Sequence, residues 1–247
     1  MLPFFFFPPQ RRAPEVKRPG VFYENEWGTL YCGDCVEVMN GLPLQADLLL
    51  TDPPYLIDYK TNRRKDKDHE FCTPIANDNN PKLVEDALAA AFGLLKQDRA
   101  AYVFCSFDKV DWFKAEVARH AKIKNLIVWV KNSHTAGDLS AAFGKQYELI
   151  LLANKGRREI NGKRITDVWN FKRVVGAEQV HQNQKPVDLL MQCIDKHTMP
   201  GELVLDPFGG SGSTAVAAES MGRRWLLIEK EEKYCELIAK RLSARRN

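Results

Sequence analysis

The sequence lacks the long apolar runs, dense cysteines and strong net charge that mark several protein classes. No apolar stretch approaches the ~20 residues needed to cross a bilayer, so we expect no membrane partner. The four phenylalanines at 4–7 have no basic segment before them and run into prolines, unlike a signal peptide. Six cysteines in 247 residues indicate reduced intracellular thiols. A net charge of +4 is mild, so the distribution of charge matters more.

Two pairs of potential metal ligands have zinc-like spacing. They are Cys32-x-x-Cys35 and His69-x-x-Cys72. Cys32, however, falls in an apolar strand candidate, where a buried thiol needs no metal to explain it. We therefore predict no metal site.

The size and composition of the chain suit one α/β domain after a short tail. A hydrophobic content of 45% is enough for one good core, and we expect residues 1–20 to be disordered and 21–247 to form the domain. Short apolar runs alternate with segments of helical periodicity, which predicts a doubly wound, mostly parallel seven-stranded sheet. The predicted strands are 29–32, 47–51, 101–105, 126–130, 148–153, 203–206 and 225–228, and the predicted helices are 81–96, 108–120, 186–197, 213–221 and 231–244.

Two polar segments interrupt this alternation and are rich in basic side chains. Residues 56–80 follow the strand candidate at 47–51, and residues 154–180 follow the one at 148–153. Loops of such length inside a compact domain are usually functional or disordered. A solvated face is the simpler interpretation of either segment alone. Two of them beside one pocket favour a groove for a polyanion.

A glycine-rich turn connects a buried strand to a helix late in the chain. The run is Asp206-Pro207-Phe208-Gly209-Gly210-Ser211-Gly212-Ser213-Thr214. Its glycines permit a sharp turn and the close approach of a ligand, and the helix that follows presents free N–H groups. The next strand ends in Glu229, 23 residues after Asp206. That is near the ~20 residues typical of an acidic side chain that hydrogen-bonds a ribose.

This spacing leaves two kinds of cofactor open. A nicotinamide or flavin dinucleotide is one of them. Yet the glycines do not follow the Gly-x-Gly-x-x-Gly pattern, and Ala215 stands where a third glycine would be. The carboxylate of Asp206 would also repel a pyrophosphate and attract a cation. S-adenosylmethionine, with its ammonium and sulfonium, therefore fits better.

A second polar turn, Asp52-Pro53-Pro54-Tyr55, follows the apolar run at 48–50. The Asp52 carboxylate and the Pro53 carbonyl would accept N–H bonds from an exocyclic amine of a nucleobase and localise its lone pair toward an electrophile. The consecutive prolines stiffen the loop. Tyr55 offers a flat face to a base taken out of the helical stack. A stiff structural turn with a capping aspartate is the alternative.

The order of the two turns resembles that of the permuted, β-class amino-methyltransferases that modify DNA. The resemblance covers residues 28–240. Residues 51–55 match the catalytic motif in its adenine-type form, and residues 30–34 resemble the segment whose aspartate contacts the cofactor. Residues 181–186 resemble His-Pro-Thr-Gln-Lys-Pro. The resemblance implies a catalytic role for Asp52, Pro53, Pro54 and Tyr55, and cofactor binding by Asp34, Lys185, Pro186, Asp206, Phe208, Gly210, Ser211, Gly212, Thr214 and Glu229.

The resemblance implies an S-adenosylmethionine-dependent, site-specific methyltransferase that flips adenine out of double-stranded DNA and methylates its N6 amine. It also implies a homodimer and a place in the cytoplasm of a bacterial or phage-infected cell, at the nucleoid. A short target-recognition insert would fall within residues 132–180. The predicted DNA-binding residues are Lys60, Arg63, Arg64, Arg157, Arg158, Arg164, Lys172 and Arg173.

Other functions stay open on the sequence. Cytosine-N4 methylation is the nearest alternative, although serine is more common at the position of Asp52 in those enzymes. An RNA adenine methyltransferase would have similar motifs. A catalytically silent DNA-binding module and a dinucleotide-dependent oxidoreductase belong to different classes.

Overall fold

The computed structural model describes residues 20–57, 79–134, 140–174 and 184–245. Within these ranges nine strands form one sheet. The strands are β1 (Val21–Glu24), β2 (Gly28–Cys32), β3 (Ala46–Thr51), β4 (Leu95–Cys105), β5 (Lys122–Val130), β6 (Tyr147–Lys155), β7 (Val168–Asn170), β8 (Leu203–Asp206) and β9 (Arg224–Glu229). The helices are α1 (Cys35–Asn40), α2 (Pro81–Leu94), α3 (Val110–Ala118), α4 (Val187–His197), α5 (Ser213–Ser220) and α6 (Glu232–Ser243), with a 3-10 turn at Phe107–Lys109.

The strands lie in the order β1-β2-β9-β8-β3-β4-β6-β5-β7. The predicted doubly wound fold is confirmed, and each of the seven predicted strands is present. The sheet gains β1 and β7, one at each edge. Both are short, at four and three residues, so neither is long enough to show the pattern of a strand in the sequence.

Helices cover both faces of the sheet. Successive residues of the central strand β3 point to opposite faces, and since these residues are apolar, each face needs a layer of helices to bury them. Leu48 and Leu50 of β3 pack in the core beneath α4, α5 and α6, whereas Leu49 packs in the core beneath α1, α2 and α3. All three leucines are fully buried. Asn80 caps α2 by accepting a 3.1 Å hydrogen bond from the backbone N–H of Leu83, which is the predicted start of that helix.

Strand direction determines which residues reach the functional edge of the sheet. Strands β2, β9, β8, β3 and β4 are parallel to their neighbours in this group, so their last residues share one edge, which we call the carboxyl edge. Strand β6 is antiparallel to both β4 and β5. Its first residues therefore lie at the carboxyl edge, and the chain that follows its last residue starts from the opposite edge.

In the described part of the chain, no helix has both the length and the apolar character needed to span a membrane.

Candidate active site

The two polar turns recognised in the sequence lie side by side at the carboxyl edge. Strands β3 and β8 are hydrogen-bonded neighbours, with Leu48 opposite Val204 and Leu49 opposite Leu205. Neighbouring strands are about 4.8 Å apart. Asp52 directly follows β3 and Asp206 is the last residue of β8, so the two carboxylates end adjacent strands. The negative charge of Asp52 accordingly contributes to raising the pKa of Asp206.

Asp52 is held by two donors, one on each carboxylate oxygen. The Tyr55 hydroxyl donates to Oδ1 at 2.7 Å, and the Lys185 ammonium donates to Oδ2 at 2.5 Å. Lys185 is buried, and its Nζ lies 5.4 Å from the centre of the Tyr55 ring. Lys185 had been expected to serve the cofactor. That role stays a prediction, and in this structure the ammonium contacts the acceptor side of the site.

Glu148, at the start of β6, completes this cluster. Its Oε1 accepts a 2.5 Å hydrogen bond from Lys131, and its Oε2 lies 3.2 Å from the Tyr55 hydroxyl and 3.3 Å from the Lys185 ammonium. Neither Glu148 nor Lys131 was predicted to be a functional residue from the sequence. The available signal was an acidic residue opening the apolar run of β6, but that signal has meaning only once β6 is known to be antiparallel.

The protonation states in the cluster follow from burial and opposite charge. Burial opposes ionisation of Glu148, but the ammonium groups of Lys185 and Lys131 outweigh it and lower its pKa to about 2. Burial likewise opposes the charge of Lys185, but the Asp52 and Glu148 carboxylates raise the pKa of its ammonium. Burial raises the pKa of Asp52, and burial with the nearby carboxylates places the pKa of Tyr55 well above its usual value. The Tyr55 phenol thus keeps its proton.

On the other side of the site, Asp206 has only neutral hydrogen-bond donors among its described contacts. The Thr214 hydroxyl donates to Oδ2 at 2.7 Å, and the backbone N–H of Phe208 donates to Oδ1 at 3.1 Å. Burial raises the pKa of Asp206 to about 7. A buried carboxylate without a cation is costly, and a positively charged ligand would relieve that cost.

Glu229 holds the glycine-rich turn in place. Its Oε2 accepts a 2.8 Å hydrogen bond from the backbone N–H of Gly210, and its Oε1 accepts one of 2.8 Å from Glu231. Asp34 lies beside it, since the N–H of Gly33 donates to the carbonyl of Glu229 at 2.9 Å. The Asp34 carboxylate caps α1. The predicted cofactor residues at the ends of β2, β8 and β9 are therefore neighbours on one edge.

Packing against α6 accounts for the glycine at position 212. Gly212 has a φ of +74°, and a Cβ placed there would lie 2.9 Å from Cγ2 of Ile238. The Ser211 hydroxyl lies 3.0 Å from that of Ser213, and the Ser211 carbonyl accepts a 2.9 Å bond from Arg241. The structure therefore requires glycine at 212 for packing against α6, and the contact of Gly212 with a cofactor stays a prediction. Pro186 is buried at the start of α4, beside Lys185.

The predicted DNA-binding residues fall into three groups. Lys60, Arg63 and Arg64 lie outside the described residues. Lys172 and Arg173 are exposed and follow β7, which runs parallel to β5, so they lie at the carboxyl edge. The backbone N–H of Arg173 donates to Asn132 Oδ1 at 3.0 Å, which joins this segment to the end of β5.

Three arginines do not lie beside the acceptor turn, which corrects the sequence prediction. Arg157 and Arg158 follow β6 and lie at the opposite edge, where the Arg158 guanidinium donates to the carbonyl of His197 at the end of α4. Arg164 lines a cavity of about 120 Å³ together with His197. The prediction failed because it placed both basic segments at one edge, whereas the antiparallel direction of β6 sends the chain to the other.

Two exposed aromatic side chains also lie at the carboxyl edge. Phe143 precedes β6 and is 100% exposed, and Phe107 follows β4 and is 56% exposed. An ion pair of 2.5 Å between Lys145 and Asp108 joins their two loops. The edge beside Asp52 therefore combines exposed apolar rings with exposed basic groups.

Comparison with known proteins relates this site to one family. A family model described as DNA methylase matches residues 46–241. The Escherichia coli (strain K12) protein YubD is 34% identical over 215 residues, which cover 86% of this chain and 88% of YubD. The DNA adenine methyltransferase YhdJ of the same strain is 26% identical over 255 residues, covering 89% of this chain and 84% of YhdJ. The crystal structure of the M1.HpyAVI-SAM complex is 26% identical with a TM-score of 0.69, covering 87% of this chain and 98% of that one.

Proposed function

This chain is a member of the DNA methylase family, and we propose that it transfers a methyl group from S-adenosylmethionine to the exocyclic N6 amine of adenine in DNA. The observation that carries the proposal is the placement of Asp52 and Asp206 at the ends of adjacent strands. The Asp52 carboxylate is arranged to accept hydrogen bonds from an amine, and the Asp206 carboxylate is buried with no cation among the described residues that contact it. The relatives agree, since one is named a DNA adenine methyltransferase and another was crystallised with S-adenosylmethionine.

The acceptor turn provides the chemistry that an exocyclic amine needs. The lone pair of such an amine is delocalised into the ring, so the amine is a weak nucleophile. Hydrogen bonds from its N–H groups to the Asp52 carboxylate and the Pro53 carbonyl localise that lone pair, and the neighbouring prolines fix both acceptors beforehand. Burial raises the pKa of Asp52, and the positive charge of Lys185 opposes that shift and so favours the ionised carboxylate. The proton displaced by methylation leaves to solvent.

Asp206 and Glu229 are the residues suited to hold the cofactor. S-adenosylmethionine supplies a methyl carbon made electrophilic by its sulfonium. The charge of Asp206 is unmatched by any cation among its described contacts, which fits an ammonium-bearing ligand. Glu229 presents a carboxylate at the end of β9, beside Asp34, and suits the hydroxyls of a ribose.

Lys172, Arg173 and Lys145 suit the phosphates of double-stranded DNA, because all three are basic and lie at the edge that contains Asp52. An adenine inside a duplex is out of reach of Asp52, so it would be flipped out and stacked on the Tyr55 ring. Extrusion costs a few kcal/mol, which phosphate contacts and stacking offset. Such an enzyme would act at the nucleoid. The resemblance to the family also implies a homodimer, and a measurement of molar mass in solution would test it.

The test is the identity of the methylated nucleoside. Purified protein is incubated with S-adenosylmethionine labelled in its methyl group and with duplex DNA, single-stranded DNA or RNA, and the nucleosides are analysed by mass spectrometry. We expect labelled N6-methyladenine from duplex DNA. Asp52→Ala would abolish transfer while S-adenosylmethionine still binds, and Glu159→Gln, exposed at the opposite edge, is the matched control.

Three results would contradict the proposal. Labelled N4-methylcytosine would assign the enzyme to cytosine, and transfer to RNA alone would change the substrate class. DNA binding with no labelled nucleoside would indicate a silent DNA-binding module.

A further inference from the structure

The Tyr55 hydroxyl lies between two carboxylates but has a single proton to donate. It is 2.7 Å from Asp52 Oδ1 and 3.2 Å from Glu148 Oε2. A phenol donates one hydrogen bond, so it serves one of these oxygens at a time. The shorter distance favours Asp52 in this structure.

This arrangement engages both oxygens of the carboxylate that the methylation reaction needs. Oδ1 of Asp52 accepts from Tyr55, and Oδ2 accepts from Lys185. An adenine amine entering the site needs an open acceptor position on one of these oxygens, and each donor already present occupies one such position. Both bonds have an ionised acceptor, but the bond from the buried Lys185 ammonium also pairs two opposite charges, whereas the Tyr55 hydroxyl is neutral and has a second acceptor at 3.2 Å. The Tyr55 hydroxyl is therefore the donor that gives way.

We propose that Glu148 is a positioning residue that accepts the Tyr55 hydroxyl when the target amine enters, and thereby frees Oδ1 of Asp52 for an N–H of adenine. The inference rests on the proposed function. No bond to carbon or sulfur changes in this step: the proton stays on Tyr55 and only its hydrogen bond moves.

Glu148 is placed and charged for that task. Its carboxylate is fixed by Lys131 at 2.5 Å and Lys185 at 3.3 Å, so it does not move toward Asp52 when Tyr55 turns. Its low pKa keeps it an acceptor at any physiological pH. The hydroxyl needs only to rotate, because the second acceptor is already within hydrogen-bond distance. The ring keeps its place for stacking.

A double-mutant cycle isolates this exchange. Glu148→Gln has nearly the same size as the native side chain but offers one oxygen to three donors. The two ammonium groups compete for that oxygen more strongly than the hydroxyl does. Tyr55→Phe removes the hydroxyl and keeps the ring. The double variant carries both changes, and Glu159→Gln is again the control far from the site.

The measurement is the single-turnover rate of methyl transfer with saturating duplex DNA and S-adenosylmethionine. We expect Glu148→Gln to lower this rate roughly ten-fold or more, with S-adenosylmethionine affinity within about two-fold of wild type. In the Tyr55→Phe background, where no hydroxyl competes for Asp52, the same change would lower the rate less than about three-fold. Equal losses in both backgrounds would overturn the inference.

The pH profile distinguishes positioning from a merely structural role. The groups that face the cluster are Asp52 and Tyr55 after β3, Cys105 on β4, Lys131 after β5, Lys185 before α4, and Asp206 on β8. The charge of Glu148 raises the pKa of Asp52, so Glu148→Gln would move the acid limb of the rate to lower pH. A purely structural loss lowers the rate equally at every pH, and that result would count against the inference.

A second variant keeps the inference testable if Glu148→Gln does not fold. Tyr55→Phe alone already frees Oδ1 of Asp52, so its single-turnover rate would fall by no more than a few-fold. A loss of about a hundred-fold would show that the hydroxyl itself is required, which overturns the proposed exchange. If the wild-type chain methylates adenine in DNA, failure of these variants removes only the inference. If it does not, the proposed function itself fails.

Discussion

Asp52 and Lys185 are 133 residues apart in the chain, and their side chains meet at 2.5 Å. This contact joins the acceptor turn after β3 to the segment that begins α4. It places a positive charge beside a carboxylate that burial would otherwise push toward its neutral form. The ion pair is therefore part of what keeps the acceptor turn charged and ordered.

Replacing Lys185 by methionine tests this relationship. The change leaves the Asp52 and Glu148 carboxylates in one buried cluster with Lys131 as their remaining cation. We expect a loss of roughly 3 kcal/mol in the free energy of unfolding at neutral pH, measured by urea denaturation. The loss would shrink in acid, where one carboxylate takes up a proton. Lys145→Met breaks an ion pair of the same length that is half exposed, and we expect it to cost less than about 1 kcal/mol. Equal losses of stability in Lys185→Met and Lys145→Met would contradict a special role for the buried ion pair.

Because Asp206 is buried, we expect the stability of the cofactor-free protein to depend on pH. The pKa of Asp206 in the folded state is about 7, above its ordinary value of 3.8. The protonated side chain therefore contributes to the free energy of unfolding, and this contribution is fully present below pH 3.8 and is lost as pH rises through 7. Asp206→Asn would remove this dependence. We expect the variant to gain on the order of 1 kcal/mol or more over wild type between pH 5 and pH 8, measured by thermal unfolding. It would also bind S-adenosylmethionine more weakly at pH 8. If the difference in stability between Asp206→Asn and wild type were the same at every pH, Asp206 would not be the buried titrating group.

Arg173 and Arg157 form a matched pair for locating the DNA-binding edge. Both are exposed arginines that the sequence assigned to DNA, but Arg173 is at the carboxyl edge and Arg157 is not. Arg173→Ala is expected to weaken duplex DNA binding and to reduce the slope of log affinity against log salt by about one. Arg157→Ala would change neither quantity. If Arg157→Ala weakened DNA binding and Arg173→Ala did not, DNA would bind at the opposite edge of the sheet.

Phe143 is expected to contact DNA although it adds nothing to the core. It is fully exposed beside the basic residues of the carboxyl edge, where an aromatic ring can stack on or insert between bases. Phe143→Ala would lower DNA affinity roughly five-fold or more and leave the free energy of unfolding unchanged. Met199→Ala is the control, since Met199 is 56% exposed just before β8, at the opposite edge. An equal effect of both variants would contradict this role.

Much of the fold was predictable because local patterns specify local structure. Apolar runs such as residues 48–50 identified the strands, and Asn80 before a proline identified the start of α2. Short elements escaped. Helix α1 has six residues, and β7 is three residues long with Trp169 as its one buried side chain. Elements of that size contain too few residues to show a period.

The sequence by itself determined the two turns, their order along the chain and the chemistry available to each. It placed an aspartate and two prolines after one strand and a glycine-rich turn after another, and both turns lie at the carboxyl edge. Only the tertiary structure decided which other residues join them. Because β6 runs antiparallel, Glu148 enters the site and Arg157 leaves it. Strand direction is set by pairing between segments far apart in the chain, which no local pattern records.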